Sequence, residues 1–581
     1  MAVFSLAVLF ITIVLYLPGF LIARFFYRDN MVAIAVAPLP SFALYAILGI
    51  FFNCIGLGAK WWMLVIAATV ISAVIYHFRN AVAGPKRMSI ASGIDWRTVV
   101  PYVVFGVVIT GFFFVGSLNG FSSFAQLFDN ASHLNGIKAM ADGGNYSILS
   151  FGSFTLEDSR SGISPSGELT HFYPAAWHLV TALACAALGA SAALAENASI
   201  VVMVGLVFPL SMWLLLTKVF DGNRRLIVCG SVCTLAFSAF PWYFLVFGPL
   251  YSNLAAFVVV PAGVFVTISF IESCCSGGIR VRDLLVVLVM GVALASLQPN
   301  AVFSVAVLSV PICAGTMVKL LAERGVSAKK RKSIAATAIG VVLIAWVLLW
   351  VAPPFSSMVS YPWPATAEEG QAFFDVATLA MMSGVPQWVL GMLVLSGAIW
   401  AFVKKRNRAL IVSYGICAVM FFICVVSDGT LRSLIDGFWY NDAYRIAALV
   451  ALAGIPLASM GLCAICDLVN GLLRGLCEKG PDKRIVFAAA MGLTFMLLYF
   501  PRGIIGHELG WYTPFEDVRG RLCWLSSSDT RRYAIDEEEF VCRAMELIDD
   551  DSKGIANIPY DGSVFAYGAN GAKTVYRSYF S

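Results

Sequence analysis

The sequence predicts an all-α polytopic membrane protein, and three observations carry that prediction. Of its 581 residues, 60% are apolar and 13% charged, and mean hydropathy is +0.83; a soluble domain carries about 25% charged residues. Apolar runs recur along the chain at roughly the 17–25 residues that a helix needs to span a bilayer. One polar island, Asn119 to Tyr173, interrupts them and, with the residues just after it, holds three of the five histidines. Ionisable groups are costly beside hydrocarbon, so a cluster of them at a membrane edge is a candidate site.

The runs fall at 3–23, 31–55, 61–76, 99–117, 198–217, 226–247, 254–271, 284–297, 301–321, 333–351, 388–403, 409–426, 443–465 and 485–500, about fourteen in all. The first lacks the basic start and small-residue cleavage site of a signal peptide and reads as a retained helix. Three parts are expected: an N-terminal membrane segment 1–98, a core 99–500 with a large outer loop 119–197, and an appendage 501–581. The net charge of +5 is read by where the basic residues sit, and no feature points to nucleic acid.

One segment sets the topology. Residues 173–190 are apolar enough to cross, yet if they do, the two halves of the chain disagree about which side is basic. If they do not, Lys218/Arg224/Arg225, Arg280/Arg282, Lys319 to Lys332, Lys404 to Arg408 and Arg474 to Arg484 share one side with Arg24/Arg28 and with Arg79, Lys86, Arg87 and Arg97. The positive-inside rule then makes that side cytoplasmic. The expectation is an interfacial helix over 173–190, with Tyr173, Trp177 and His178 at headgroup level and the N-terminus, island and tail extracytoplasmic, at the cell membrane.

The tail from Pro501 reads as a small α/β unit, with a helix over 535–548 and short strands at 554–559 and 563–567 around the turn Tyr560-Asp561-Gly562. Cys523 and Cys542 lie in it, where an exported tail permits a disulfide. Cys463 and Cys466 sit in an apolar helix and read as packing. The spans hold almost no mid-depth ionisable residues, which argues against an ion-coupled carrier.

Within the island, Asp129 and His133 are four apart, on one helix face if the segment is helical. A carboxylate held against the membrane surface is suited to general-base work, and the alternative is that Asp129 caps a helix starting at Asn130. His171 and His178 stand two turns apart around Tyr173-Pro174, able either to line a site or to anchor a helix. No pair has a strong metal-ligand spacing, so no cofactor is expected to be required, a divalent metal being the alternative. A second constellation, Asp436 with Phe438 to Arg445, places Asp442 and Arg445 one turn apart at the start of a span. Arg445 either pairs with Asp442 or offers its fork to a phosphate. The segment 353–375 reads as a lid or as aromatic interface anchors.

Taken together, Asp129-Asn-Ala-Ser-His133 through Asn145 and then Phe172-Tyr-Pro-Ala-Ala-Trp-His178 resemble the first outer loop of GT-C-type glycosyltransferases. The closer resemblance is to a family of actinobacterial multipass membrane proteins of GT-C-like build. Tyr251-Ser-Asn-Leu-Ala, Gln298-Pro-Asn-Ala301, Trp439-Tyr-Asn-Asp-Ala-Tyr-Arg445 and Pro559-Tyr-Asp-Gly-Ser563 are similar to its recurring motifs. Two features depart from the GT-C pattern: three spans precede the one leading into the loop, and the loop has no Asp-x-Asp pair. The resemblance implies a GT-C-like bundle that moves a sugar from a polyprenyl-phosphate donor to an envelope glycan, lipid or protein. On this reading Asp129 with His133 is catalytic, and His171, Tyr173, His178, Asp442 and Arg445 are substrate-binding. A lipid-linked sugar flippase and a non-catalytic assembly scaffold are the alternatives.

Overall fold

Among the residues described by the computed structural model, 1–83, 95–164, 171–476, 482–501, 512–527, 532–548 and 553–579, nine helices are long and apolar enough to cross a membrane. Two bent pairs pass the same test together, giving up to eleven crossings by length and composition. The N-terminal part comprises α1 (Ala2–Phe26), the bent pair α2 (Asn30–Val36) and α3 (Pro38–Cys54), α4 (Trp61–Ala83) and α5 (Val99–Phe113). The island contributes α6 (Phe128–Gly143), and α7 (Ala176–Leu188) follows it. There follow α8 (Ala192–Val219), the bent pair α9 (Arg224–Cys233) and α10 (Ser238–Val246), α11 (Tyr251–Gly277) and α12 (Val281–Leu297). The remainder of the core is α13 (Asn300–Glu323), α14 (Ala328–Trp350), α15 (Trp388–Val403), α16 (Arg408–Val426), α17 (Ala443–Leu476) and α18 (Lys483–Tyr499). The tail carries α19 (Pro514–Ser526) and α20 (Ile535–Ile548).

Every expected apolar run is helical, but the expected count of about fourteen crossings exceeds what length and composition support. The difference lies in α12, α15 and α18, which have 17, 16 and 17 residues, the short end of what spans hydrocarbon. Lys86, Arg87 and Lys479 lie outside the described residues.

Small residues let α15 and α17 approach closely, as is common between membrane helices. A Cβ on Gly397 would stand 1.8 Å from the Leu457 carbonyl oxygen, and one on Gly461 would stand 1.9 Å from that of Leu393. Gly461→Val is therefore expected to part the two helices and destabilise the fold by about 1–3 kcal/mol or more. A thermal scan in detergent reads this, and an unchanged midpoint would contradict it.

The expectation for 173–190 is corrected in part. At 13 residues and 1.5 Å per residue, α7 is about 20 Å long, too short to cross. It is not an interfacial anchor either: Trp177 and His178 are fully buried, and α7 packs against α1, α3, α6 and α8. Neighbouring helices surround it where lipid headgroups were expected.

The N-terminus, the island and the tail share one face of the bundle. Phe4 stacks on Phe121 with centroids 4.5 Å apart, and Ser526 Oγ donates to the Ser117 carbonyl over 2.8 Å. The tail itself departs from the α/β expectation. Ser563–Phe565 is a 3-10 turn and Ala566–Asn570 a helix, and one bridge, Ile555 to Thr574, is all the strand pairing it has among the described residues. Its backbone finds partners on α6 instead of in a sheet. Cys523 and Cys542 are both free thiols.

Candidate functional site

The first turn of α6 holds Asp129, one residue after the helix begins at Phe128. The capping alternative fails on this geometry, because Leu127 occupies the N-cap and makes no side-chain cap bond. The Asp129 N–H instead donates to the Gly248 carbonyl over 3.2 Å. One turn further along, His133 is buried beside Pro249, and its Nδ1 lies 2.8 Å from His178 Nε2. One ring donates to the other, the direction following from the tautomer. Burial pushes His133 down to about 4, which keeps the imidazole neutral near pH 7.

The pair ties α6 to α7, with Trp177 and Tyr251 closing edge-on and tilted contacts around the His133 ring. Tyr173 lies beside this pair, its ring stacked on Phe151 at 4.9 Å and meeting His178 edge-on at 5.5 Å. His171 does not join the cluster. It is exposed and exchanges backbone hydrogen bonds with Phe151 over 3.0 and 3.1 Å.

The turn 247–250 that holds Gly248 faces the second constellation. Phe247 stacks on Tyr444 at 3.6 Å, and Arg445, the next residue, is close enough for its charge to act on Asp129. Arg445 makes a 2.5 Å ion pair with Asp442 and donates from Nε to Asn253 Oδ1 at 3.3 Å, and its guanidinium lies 5.0 Å from the Tyr440 ring. Asp442 also accepts from the Tyr444 N–H at 2.8 Å, capping α17. Asn300 Nδ2 donates to the same Asn253 oxygen over 2.7 Å. The starts of α11, α13 and α17 therefore meet at one polar point.

Electrostatics at that point follow from burial and two charges. Asp129 is pushed up to about 6, first by loss of water around the carboxylate, with Arg445 opposing the shift and Asp442 adding to it. The acid is thus poised near neutrality, the range that general-base catalysis favours. Gly248 is shaped for this contact. Its φ of +102° suits glycine, and a Cβ there would come within 2.8 Å of Asp129 Oδ2.

Asn253, Asn300 and Gly248 carry no role in the sequence reading, although two of them lie in the quoted motifs. The available signal was an amide at the mouth of an apolar span, which has a cost unless it is partnered. Arg432, the lone basic residue of the short loops, is structural. It donates to the Trp363 and Asn441 carbonyls over 2.7 and 2.6 Å. With Asn441 Nδ2 donating to the Tyr361 carbonyl at 2.9 Å, it ties the 353–375 segment down beside the cluster.

The tail grips the helix that carries Asp129. Asn135 Nδ2 donates to the carbonyls of Val564 and Arg577 over 2.8 and 2.6 Å, and its Oδ1 accepts from the Gly568 N–H over 2.8 Å. Gln126 exchanges two bonds with the Tyr533 backbone, at 2.9 and 2.8 Å. Arg577 is fully buried, paired with Asp158 at 3.0 Å and lying 3.5 Å from the Tyr567 ring.

Fold and site define a polytopic helical membrane protein with a carboxylate–guanidinium cluster at one face of its bundle. The chain belongs to the family of unknown function DUF6541, whose model matches residues 12–581. Among solved structures it is similar to the Archaeoglobus fulgidus oligosaccharyltransferase in the apo form, at 12% identity and a TM-score of 0.35, over 83% of this chain and 64% of that one. The chain thus spans less than two thirds of that enzyme's length. A comparison with curated proteins finds no match.

Proposed function

We propose that the protein is a GT-C-like membrane glycosyltransferase that moves a sugar from a polyprenyl-phosphate donor to a cell-envelope acceptor at the outer face of the cytoplasmic membrane. The observation that carries this reading is the convergence of Asp129 and the Tyr444-Arg445 segment, more than three hundred residues apart in the chain, on the turn 247–250. Asp129 takes the proton of the acceptor hydroxyl as that oxygen attacks the anomeric carbon. Arg445, held by Asp442 and Asn253, receives the phosphate oxygen that departs with the lipid, a preorganised charge-assisted contact. His133 and His178 act as positioning residues, since their ring-to-ring hydrogen bond ties the helix that carries Asp129 to α7. Tyr173 borders the same space and His171 stands outside it. No cofactor is invoked.

An apolar crevice of about 340 Å³ between α13, α14 and α16, lined by Val310, Val342, Trp346, Ile416 and Met420, suits a lipid tail. That crevice equally favours the flippase alternative, so the test must separate chemistry from lipid binding. Purified protein in lipid is incubated with labelled polyprenyl-phosphate sugars, and free polyprenyl phosphate is measured. Glycan product together with released polyprenyl phosphate supports the transferase; lipid translocation with no release supports the flippase.

Three further expectations concern the same carboxylate. A general base must be ionised, so the rate should fall as pH drops through about 6. Asp442→Asn removes the charge that raises Asp129 and frees Arg445 to lower it, so the acidic limb should move to lower pH. A limb that stays in place would remove Asp442 from the coupling. Gly248→Ala forces a left-handed backbone on a residue with a Cβ and crowds Asp129 Oδ2. It is expected to cut the rate about 10²-fold with folding retained, as misplacement near 1 Å does elsewhere; wild-type turnover in that variant would contradict the contact.

A further inference from the structure

A polar cavity of about 400 Å³ opens at the opposite boundary of the bundle, where α8, α11 and α13 end and α16 begins. Lys218, Lys319, Lys405 and Arg408 line it, against the carboxylates of Asp221 and Glu272. Lys218 pairs with Glu272, leaving a surplus of cations on the rim. The wall beneath is apolar, built from Ile268, Ile312 and Leu410. The turn into α16 sets Lys405 and Asn407 both in the left-handed region, at φ 54° and 57°, a conformation uncommon for such side chains. That turn delivers Lys405 and Arg408 to the same rim.

Cations above an apolar wall at the ends of four spans match a ligand with a phosphate on a hydrocarbon body. Basic pockets between transmembrane helices near one membrane surface bind anionic headgroups for this reason. We infer that this cavity is a binding site for the phosphate headgroup of an anionic phospholipid, separate from the Asp129 cluster and on the other face of the membrane. The inference does not depend on the transferase reading, because no group in the cavity belongs to the proposed reaction.

Native mass spectrometry of the full-length protein, delipidated and then offered phosphatidylglycerol or phosphatidylcholine, tests it. Phosphatidylglycerol should be retained in preference. Lys319→Gln/Lys405→Gln/Arg408→Gln should weaken that retention by about 100-fold, from about fivefold per cation removed. Lys329→Gln/Lys330→Gln/Lys332→Gln, equally discharged on a neighbouring helix but outside the cavity, should leave it unchanged, and a thermal scan of each variant confirms folding. Equal retention of both lipids would overturn the inference, as would loss of retention in the second triple variant to the same degree. Glycerol 3-phosphate separates the two sources of phosphate: failure to displace the lipid supports a lipid site, whereas binding as tight as that of phosphatidylglycerol would assign a soluble phosphate and overturn it.

Discussion

Asp129→Asn is expected to lower polyprenyl phosphate release by about 10²–10⁴-fold, the usual contribution of a positioned general base. The substitution keeps shape and hydrogen-bonding capacity but removes the basic lone pair and the charge beside Arg445. Because the wild-type carboxylate is already disfavoured by burial, the neutral amide should leave the fold at least as stable. Lipid binding in the α13–α14–α16 crevice should persist, since no residue lining that crevice lies on α6. Equal rates in wild type and variant would take Asp129 out of the mechanism and favour the scaffold or flippase readings. The Asp129→Asn rate should also lose its acidic limb near pH 6, a check independent of absolute activity.

The second large effect is structural. Arg577→Met removes the cation from a fully buried pair and leaves Asp158 without its partner, a change that costs about 3–5 kcal/mol in buried settings. The tail 553–579 should then release from α6, becoming open to limited proteolysis, and Asp129 turnover should fall with it. Asp158→Asn combined with Arg577→Met should recover part of the loss, because the orphaned charge is gone. A protected tail in Arg577→Met would refute the clamp. The pair also sets a pH dependence. Burial pushes Asp158 up, but Arg577 and the Thr155 bonds outweigh it and hold the carboxyl below its ordinary value. The unfolded chain therefore binds the proton more readily, so the contribution is present above the ordinary carboxylate pKa of about 4 and is lost as pH falls below it.

Much of the site was legible as residues but not as an arrangement. The island drew attention to Asp129, His133, Tyr173 and His178 because charge and imidazole are conspicuous in an apolar chain. Asp442 and Arg445 stood out as a separate pair by their one-turn spacing. That the two sets share one place was not legible, since the turn 247–250 that brackets them is apolar and unremarkable as sequence. His171 illustrates the converse: its two-turn spacing from His178 suggested a shared face, but an extended segment through Pro174 precedes α7, so helical spacing does not apply.

By itself, the sequence determined that the chain is a helical membrane body, where its apolar segments lie and which polar residues are expensive enough to need a reason. Those are consequences of local composition and of what a bilayer tolerates. Only the tertiary structure decided that α7 is buried among neighbouring helices, that the tail is a clamp on α6 and not a separate α/β unit, and that Asn253, Asn300 and Gly248 complete the cluster. Each of these depends on contacts between residues distant in the chain, where a partner's position, and not a residue's own polarity, sets whether burial is affordable.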